Sequence, residues 1–397
     1  MLGDVVVVAF ALFIAVPSAY LAFLAVVTVL PRPAPSFELR SAGLLRFAVL
    51  VPAHDEEPVV GATVASLLRL DYPRERFSVH VVADNCADAT AEVARRNGAC
   101  VHERNEPRIR GKGAALNWLA ESLAAEIADA DAYVVVDADT VVSANLLAAL
   151  ERHLARGADA VQTLYIVAAS SDQPLVRLRE LALRLVCHLR PLAYTILGAS
   201  TPLFGNGMCF SAALWRRYRW SESSVVEDGE LFLRLVHDGR RVALADEASV
   251  SAAMPTTFRD ARSQALRWER GRFDHFLLCA GLACRGAVRR DINDLFAGLS
   301  VLIPPFTVLL AGDILALASA ALLRWIPLAV LAAAALLCLI FYVFRGAALG
   351  ALTARTMFRI VLWAPQYTAW KVWMVFLAAV GVGRGDWTRT ARVRLGR

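Results

Sequence analysis

The sequence has no cysteine pattern typical of a metal-binding or disulfide-rich protein. Its seven cysteines lie far apart, with no Cys-x-x-Cys pair and no regular spacing. This distribution argues against a structural zinc site and against a disulfide framework, and it indicates reduced thiols that face the cytosol. Internal repeats and low-complexity segments are also missing, so a repeat architecture is not predicted.

Two common nucleotide-binding signatures are absent as well. No Gly-x-Gly-x-x-Gly follows the first apolar strand-like run, which argues against a nicotinamide-dependent oxidoreductase. The net charge is +6, but the basic residues are scattered beside apolar segments rather than gathered in an aromatic-interleaved stripe. Nucleic acid is therefore not predicted as a partner, and we expect these residues to meet lipid headgroups and a diphosphate.

Long apolar runs are abundant, since 57% of the residues are hydrophobic. Residues 5–30 can span a bilayer and lack the basic segment that begins a typical signal peptide. Arg32, Arg40 and Arg46 follow this run, so the positive-inside rule places residue 31 onward in the cytoplasm. We predict an N-terminal transmembrane helix within residues 1–31.

Apolar character returns in a C-terminal membrane region, residues 276–397. The runs 295–322 and 326–344 predict a transmembrane hairpin with a very short outer loop. The run 357–382 predicts an interfacial or re-entrant segment, because it is interrupted by Arg359, Pro365, Gln366 and Lys371. A cytoplasmic basic tail follows it. Two further basic, apolar segments are candidates for the membrane interface, 173–197 and 270–290.

Between these regions, residues 46–275 alternate short apolar runs with helical stretches. This alternation predicts an α/β, Rossmann-like domain with a mostly parallel sheet, covered by helices on both faces. Ligands of such sheets bind at the carboxyl ends of the strands, so the functional residues are expected directly after the apolar runs.

The segment DAYVVVDADT, residues 131–140, ends a buried strand with two aspartates spaced by one residue. Asp137 and Asp139 project to the same side and offer hard carboxylate oxygens, which are the ligands that Mg²⁺ or Mn²⁺ prefers beside substrate phosphates. The alternative is that these acids cap the following helix.

Other polar residues follow neighbouring runs. Glu57 begins a helix after the first strand, and Asp84 and Asn85 follow the second. A nucleobase and ribose fit such turns. Helix capping is the alternative for Glu57, and Asp88 is expected to be an N-cap. Lys112 lies between two glycines at a helix start, where a cation and free amides can bind an anion. Lys112 and Arg110 fit a solvated surface equally well.

Two later motifs carry further candidates. The segment SSVVEDGELFLRLVHDG, residues 223–239, places Glu227 and Asp228 at a helix start, where Asp228 could act as a general base or only as an N-cap. The segment SQALRWERGRF places Gln264, Arg267 and Trp268 on one helix face. The Arg267 guanidinium can bind a diphosphate, and the Trp268 indole can stack on a sugar. The alternative is that both residues anchor the helix at the membrane interface.

In this order the motifs resemble family 2 glycosyltransferases of the GT-A fold, especially membrane synthases of cellulose and hyaluronan, over residues 46–275. The resemblance implies that the nucleotide sugar is bound by Ala53, Glu57, Asp84, Lys112, Asp137 and Asp139. It implies that Asp137 and Asp139 hold Mg²⁺ or Mn²⁺, and that the pair Glu227–Asp228 is catalytic, with Asp228 as the base. The acceptor and diphosphate motif would be Gln264, Arg267 and Trp268. The segment GNGMCF, 205–210, would line the acceptor mouth.

The resemblance predicts an inverting enzyme of the inner membrane that transfers sugar, first of all from a UDP-sugar, to a growing polysaccharide. A single transfer to a polyprenyl phosphate or glycolipid is the alternative, because the membrane region is small and no gating-loop motif follows Trp268. Val226 replaces the threonine that usually precedes the Glu-Asp pair. Accessory export subunits are possible partners of a synthase. A transporter or scaffold is disfavoured, because neither needs this set of acids.

Overall fold

The computed structural model describes residues 2–31, 44–109, 111–122, 127–168, 172–220 and 226–382, with backbone alone over 2–10. The predictions that concern Arg32, Arg40, Arg110 and the basic tail after residue 382 lie outside the described residues. The strands are β1 (Phe47–Ala53), β2 (Phe77–Asp84), β3 (Cys100–Arg104), β4 (Ala132–Val135), β5 (Thr140–Val142), β6 (Ala160–Val167), β7 (Met208–Ser211) and β8 (Val242–Ala252).

The helices fall into three groups along the chain. The first group is α1 (Leu2–Val27), α2 (Glu57–Leu67), α3 (Thr90–Arg96), α4 (Lys112–Ser122) and α5 (Leu146–Ala155). The second is α6 (Pro174–Arg184), α7 (Arg190–Ile196), α8 (Ala212–Arg217), α9 (Glu227–His237) and α10 (Phe258–Asp274), with a π-helical segment at Leu185–Leu189 joining α6 to α7. The third is α11 (Phe276–Arg289), α12 (Ile292–Leu302), α13 (Phe306–Leu323), α14 (Ile326–Leu349) and α15 (Ala354–Ala379).

The eight strands form one mixed sheet with the order β3-β2-β1-β4-β7-β6-β8-β5. The first four strands in this order are parallel, whereas β7 is antiparallel to both of its neighbours and β5 is antiparallel to β8. The prediction of a mostly parallel sheet is therefore corrected to a mixed sheet. An apolar run shows that a strand is buried, but its direction depends on connections that the run does not contain.

Both faces of the sheet are buried, as the continuous apolar runs predict. On β1, Val49 and Val51 pack into one core cluster with Val60 of α2. The alternate residue Leu50 packs into the opposite cluster with Leu116 of α4. Because successive side chains of a strand point to opposite faces, one strand anchors both layers and fixes where its carboxyl end lies.

The helix pair α11 and α12 packs on the sheet domain that we predicted to end at residue 275. Cys279, Leu282 and Ala297 of this pair lie in the same core cluster as Leu231 of α9. The predicted first arm of the hairpin, 295–322, is therefore not one helix. It is divided after Leu302, because Pro304 and Pro305 lack the N–H groups that a continuous helix requires.

Within the described residues, α13 and α14 are long and apolar enough to cross a membrane, by length and composition. They are joined by Arg324 and Trp325, and Arg324 ends α13 in the left-handed conformation. Helix α1 packs against both of them and against α7. The described side chains of α1, from Ala11 to Val27, form an apolar stretch of this helix.

Helix α15 continues through Pro365 and packs against α6, α10 and α13. Two charges that interrupt its apolar sequence pair with acids of the sheet domain. Lys371 Nζ lies 2.6 Å from Glu269 Oε1 of α10 in a nearly buried ion pair, and Arg359 pairs with Asp172 beside α6. Protein contacts therefore account for these interruptions, and the interfacial or re-entrant placement stays a prediction.

Four arginines in the predicted interfacial segment 173–197 contact protein. Arg177 and Arg184 both pair with Glu180. Arg179 and Arg190 are buried, with 6% and 5% of their surface exposed. The four arginines of this segment are therefore held by contacts with protein groups.

Candidate active site

Asp137 and Asp139 belong to the Asp-Ala-Asp segment 137–139, which we call the DAD motif. They lie in the turn between β4 and β5, and both are partly buried. Thr63 of α2 holds this turn on one side. Its hydroxyl donates to the carbonyl of Ala138 at 2.7 Å and accepts from the amide of Thr140 at 3.1 Å. The next helix, α5, begins only at Leu146 and has Asn145 as its N-cap, so neither aspartate caps it.

Asn206, from the GNGMCF segment, holds the same turn from the other side. Its Oδ1 accepts from the amide of Asp137 at 3.1 Å, and its Nδ2 donates to Thr140 Oγ1 at 2.8 Å. Asn206 is completely buried, and Gln162 Nε2 donates to its carbonyl at 2.8 Å. The segment that we expected at the acceptor mouth therefore fixes the backbone of the turn that carries Asp137.

This geometry makes Asn206 a positioning residue for Asp137. We expect Asn206→Ala to weaken metal-dependent nucleotide binding about 10- to 100-fold, as loss of an outer-shell partner does. Isothermal titration with Mn²⁺ and nucleoside diphosphate would measure this. Asn145→Ala is the matched control, because the Asn145 side chain donates to the carbonyl of Glu247, at 2.8 Å. Equal affinity in the two variants would contradict the role.

Lys112, at the first residue of α4, joins the DAD motif to the later acidic motif. Its Nζ forms an ion pair with Asp137 and donates to the carbonyl of Gly205. Burial by itself would lower the pKa of Lys112, but Asp137, followed by Glu227 and Asp228, raises it. Lys112 therefore stays protonated, and it is a cation in the site rather than a solvated surface charge.

Asp228 lies on the same side of the domain, at the start of α9. A Cβ placed on Gly205 would lie 3.1 Å from Asp228 Oδ2, so the carboxylate packs against the glycine whose carbonyl binds Lys112. Burial raises the pKa of Asp228, and Lys112 opposes this shift. The N-cap position of α9 is Val226, and its side chain packs against Gly271 of α10.

Burial, followed by the neighbouring charge of Asp228, raises the pKa of Glu227 from 4.5 to about 7. A carboxyl with a higher pKa in the folded than in the unfolded state makes the protein less stable as the pH rises between the two values. We therefore expect Glu227→Gln to raise the Tm relative to wild type more near pH 8 than near pH 5. Calorimetry in detergent measures this difference, and a pH-independent difference would contradict it.

The nucleotide side of the predicted site lies at the ends of β1 and β2. Asp84 is nearly buried, and its Oδ1 accepts from Arg104 Nη1 at 2.6 Å in a buried ion pair. Arg104 ends β3 directly opposite Asp84 in the sheet register. This partner could not be predicted from the sequence, because β3 (CVHER) is not an apolar run. Asn85 also donates to Asp84 Oδ1, at 2.8 Å, and adopts the left-handed conformation.

Glu57 and Asp88 form reciprocal bonds between two helix starts. The amide of Glu57 donates to Asp88 Oδ2 at 3.2 Å, and Glu57 Oε2 accepts from the amide of Ala89 at 3.1 Å. Both carboxylates thus accept from amides near helix starts, although the N-cap positions themselves are Glu56 of α2 and Ala89 of α3. Ala53 is buried at the end of β1, so only its backbone is available to a nucleotide.

The remaining motif on α10 is divided between two neighbours. Arg179 of α6 donates to Gln264 Oε1, and its guanidinium carbon lies 5.9 Å from the ring centre of Trp268. Arg267 instead lowers the pKa of Glu227, so it lies near the acidic pair. The structure therefore brings Lys112, Asp137, Glu227 and Asp228 into one acidic cluster, with Arg267 in electrostatic range of Glu227. It places Gln264 and Trp268 beside Arg179 of α6.

A family model described as "Glycosyltransferase like family 2" matches residues 45–271. The chain is 30% identical over 231 residues to the uncharacterized glycosyltransferase YaiP of Escherichia coli K12, covering 56% of this chain and 54% of YaiP. It is 25% identical over 303 residues to an N-acetylglucosaminyltransferase of Rhizobium leguminosarum bv. viciae, covering 67% of this chain and 69% of that protein.

A third relative is the beta-monoglucosyldiacylglycerol synthase of Trichormus variabilis, which is 27% identical over 251 residues, covering 61% of this chain and 52% of that protein. The chain thus spans about half the length of this protein and of YaiP. Among solved structures, the mannosyltransferase PcManGT from Pyrobaculum calidifontis, in complex with GDP-Man and Mn²⁺, has a TM-score of 0.59. Its identity is 19%, with 95% of this chain and 98% of that chain covered, and this similarity shows the fold.

Proposed function

This chain belongs to the glycosyltransferase like family 2, and from that premise we propose that it transfers a sugar with inversion from a nucleotide diphosphate sugar to an acceptor hydroxyl. The fold is a Rossmann-like GT-A domain with a mixed sheet and a helical C-terminal region. One observation carries the proposal: Lys112, bound to Asp137, also contacts the backbone of Gly205, against which Asp228 packs.

The proposed reaction is a single displacement. The acceptor oxygen attacks the anomeric carbon of the donor, the bond from that carbon to the diphosphate oxygen breaks, and the hydroxyl proton passes to the Asp228 carboxylate. A raised pKa makes Asp228 a stronger base. Lys112 and Arg267 place positive charge near the acids, where the diphosphate gains charge as it leaves. Attack opposite the leaving group inverts the anomeric centre.

The partly buried Asp137 and Asp139 fit a divalent cation, because both offer carboxylate oxygens from one braced turn. We assign them as the residues that would hold Mg²⁺ or Mn²⁺, which neutralises the diphosphate when bound. The structural neighbour PcManGT is solved with Mn²⁺, in agreement with this cofactor. A second group, Asp55, Cys86 and Asp88, places its ligand atoms within 4.8 Å of one another, but Asp88 already caps two helix starts.

We place the acceptor at the inner membrane, with the catalytic domain in the cytoplasm. Helices α13 and α14 support this placement by their length and apolar composition. A growing glycan is the first candidate acceptor, and export subunits would then be possible partners. A lipid acceptor is the second, supported by the similarity to a beta-monoglucosyldiacylglycerol synthase and by the two candidate spans within the described residues.

A donor and product screen tests the proposal. Purified protein in nanodiscs would be incubated with labelled UDP- and GDP-sugars, with Mn²⁺, with Mg²⁺ and with chelator. We expect metal-dependent transfer from one donor, with UDP-sugars as the first candidates. Product sizing then separates a polymer from a singly extended lipid, and NMR of the new linkage reports inversion. A product that retains the donor configuration would contradict the single displacement.

A further inference from the structure

Arg179 is a buried cation without an acidic partner among the described residues. Its Nη2 donates to the neutral Gln264, whereas its Nη1 is buried and makes no hydrogen bond. Burial lowers the pKa of Arg179, and only the hydroxyls of Tyr367 and Tyr165 oppose this shift. Arg177, two residues earlier, differs in this respect, because it pairs with both Asp172 and Glu180.

An unpaired buried guanidinium is energetically costly, since the charge loses its hydration and gains no counter-ion. Arginine stays protonated in proteins, so deprotonation does not relieve this cost. The cation–π contact with Trp268 and the bond to Gln264 offset only part of the cost. A negatively charged ligand would supply the missing counter-ion and would accept from Nη1.

The surroundings of Arg179 indicate where such a ligand comes from. Its helix, α6, packs against strand β6 of the sheet and against α14 and α15. Arg179 therefore contacts the α10 motif from a helix that also packs on α14, one of the two candidate membrane spans. The donor diphosphate has other cations, because Lys112 and Arg267 lie at the acidic cluster.

We propose that Arg179 binds a phosphate group carried by the acceptor, beside Trp268 and Gln264. The guanidinium fork suits phosphate oxygens, and an indole face suits a neighbouring sugar. This inference rests on the proposed function and favours the lipid acceptor over a neutral glycan. Only 6% of Arg179 is exposed, so binding of the phosphate requires its neighbours to move apart.

The test compares binding of matched amphiphiles to the full chain in detergent. The probes are dioctanoyl phosphatidic acid, dioctanoylglycerol and inorganic phosphate, and the variants are Arg179→Gln, Arg179→Lys and the control Arg177→Gln. We expect wild type and Arg177→Gln to bind dioctanoyl phosphatidic acid more tightly than the uncharged dioctanoylglycerol. Arg179→Gln should lose this preference by about 10- to 100-fold, the value of a charged hydrogen bond, and Arg179→Lys should keep part of it.

The affinity for Mn²⁺ and nucleoside diphosphate should stay unchanged in Arg179→Gln, which also shows that the variant is folded. Inorganic phosphate that binds as tightly as the lipid would identify a soluble phosphate-bearing acceptor, and much weaker binding would identify a lipid. The proposal is overturned if Arg179→Gln keeps the preference, or if it loses nucleotide affinity instead. Either result leaves sugar transfer by the Asp228 site intact, whereas absence of any transfer in the donor screen refutes the proposed function itself.

Discussion

Replacing Asp228 by Asn is expected to lower the rate of sugar transfer by about 10²- to 10⁴-fold, the usual contribution of a general base. The amide keeps the shape of the side chain at Gly205 but cannot take the proton of the acceptor hydroxyl. Metal-dependent nucleotide binding should change little, because Lys112 and Asp137 remain paired. The measurements are initial rates with labelled donor and titration of Mn²⁺ with nucleoside diphosphate.

Glu230→Gln is the matched control for this variant, since it removes a carboxylate from the same first turn of α9. We expect Glu230→Gln to transfer sugar at nearly the wild-type rate. If Asp228→Asn were equally active, Asp228 would not be the base. The neighbouring Glu227, whose pKa of about 7 also suits a proton acceptor, would then be the next residue to replace.

The position of the site at the ends of strands could be predicted from sequence. Apolar runs mark buried strands, and the polar residue that follows each run must lie at the edge of the sheet. Asp84 ends β2, and Asp137 lies two residues after β4. Those positions follow from local pattern alone. The start of α4 at Lys112 was equally visible, because two glycines flank it.

The partners that hold these acids could not be predicted in the same way. Thr63 and Asn206 brace one turn from positions far apart in the sequence, and no local pattern distinguishes either residue from an ordinary helix threonine or loop asparagine. Arg104 faces Asp84 only because β3 pairs with β2 in a particular register. The packing of helices and strands determines contacts of this kind, and local sequence patterns do not reveal that packing.

The charged residues within α15 are a further case in which local sequence does not predict the partner. Hydropathy treats Lys371 as an interruption, yet in the structure it pairs with Glu269, one residue after Trp268. A charge that finds a buried acid costs much less than an unpaired one, so the apolar run can continue past it. The sequence pattern detects the charge but not the partner.

A second large effect, on metal-dependent nucleotide binding, is expected when Asp139 is replaced. Replacing it by Asn removes one of the two carboxylates that we assign to the metal, and Lys112 still holds Asp137 in place. An amide oxygen is a weaker ligand than a carboxylate for a hard divalent cation. We expect metal-dependent binding of nucleoside diphosphate to weaken by about 10²-fold or more, since loss of a ligand exceeds loss of an outer-shell partner. Titration at several Mn²⁺ concentrations measures the change.

Asp131→Asn is the matched control, because Asp131 lies at the opposite end of the same strand and accepts from the amide of Arg46 at 2.8 Å. Its nucleotide affinity should equal that of wild type. Excess Mn²⁺ should partly restore binding in Asp139→Asn but should not restore transfer in Asp228→Asn, because the first variant lacks a metal ligand and the second lacks a base. If Asp139→Asn bound nucleotide with unchanged metal dependence, the metal would have to be held elsewhere, and Asp55 with Asp88 would be the next pair to test.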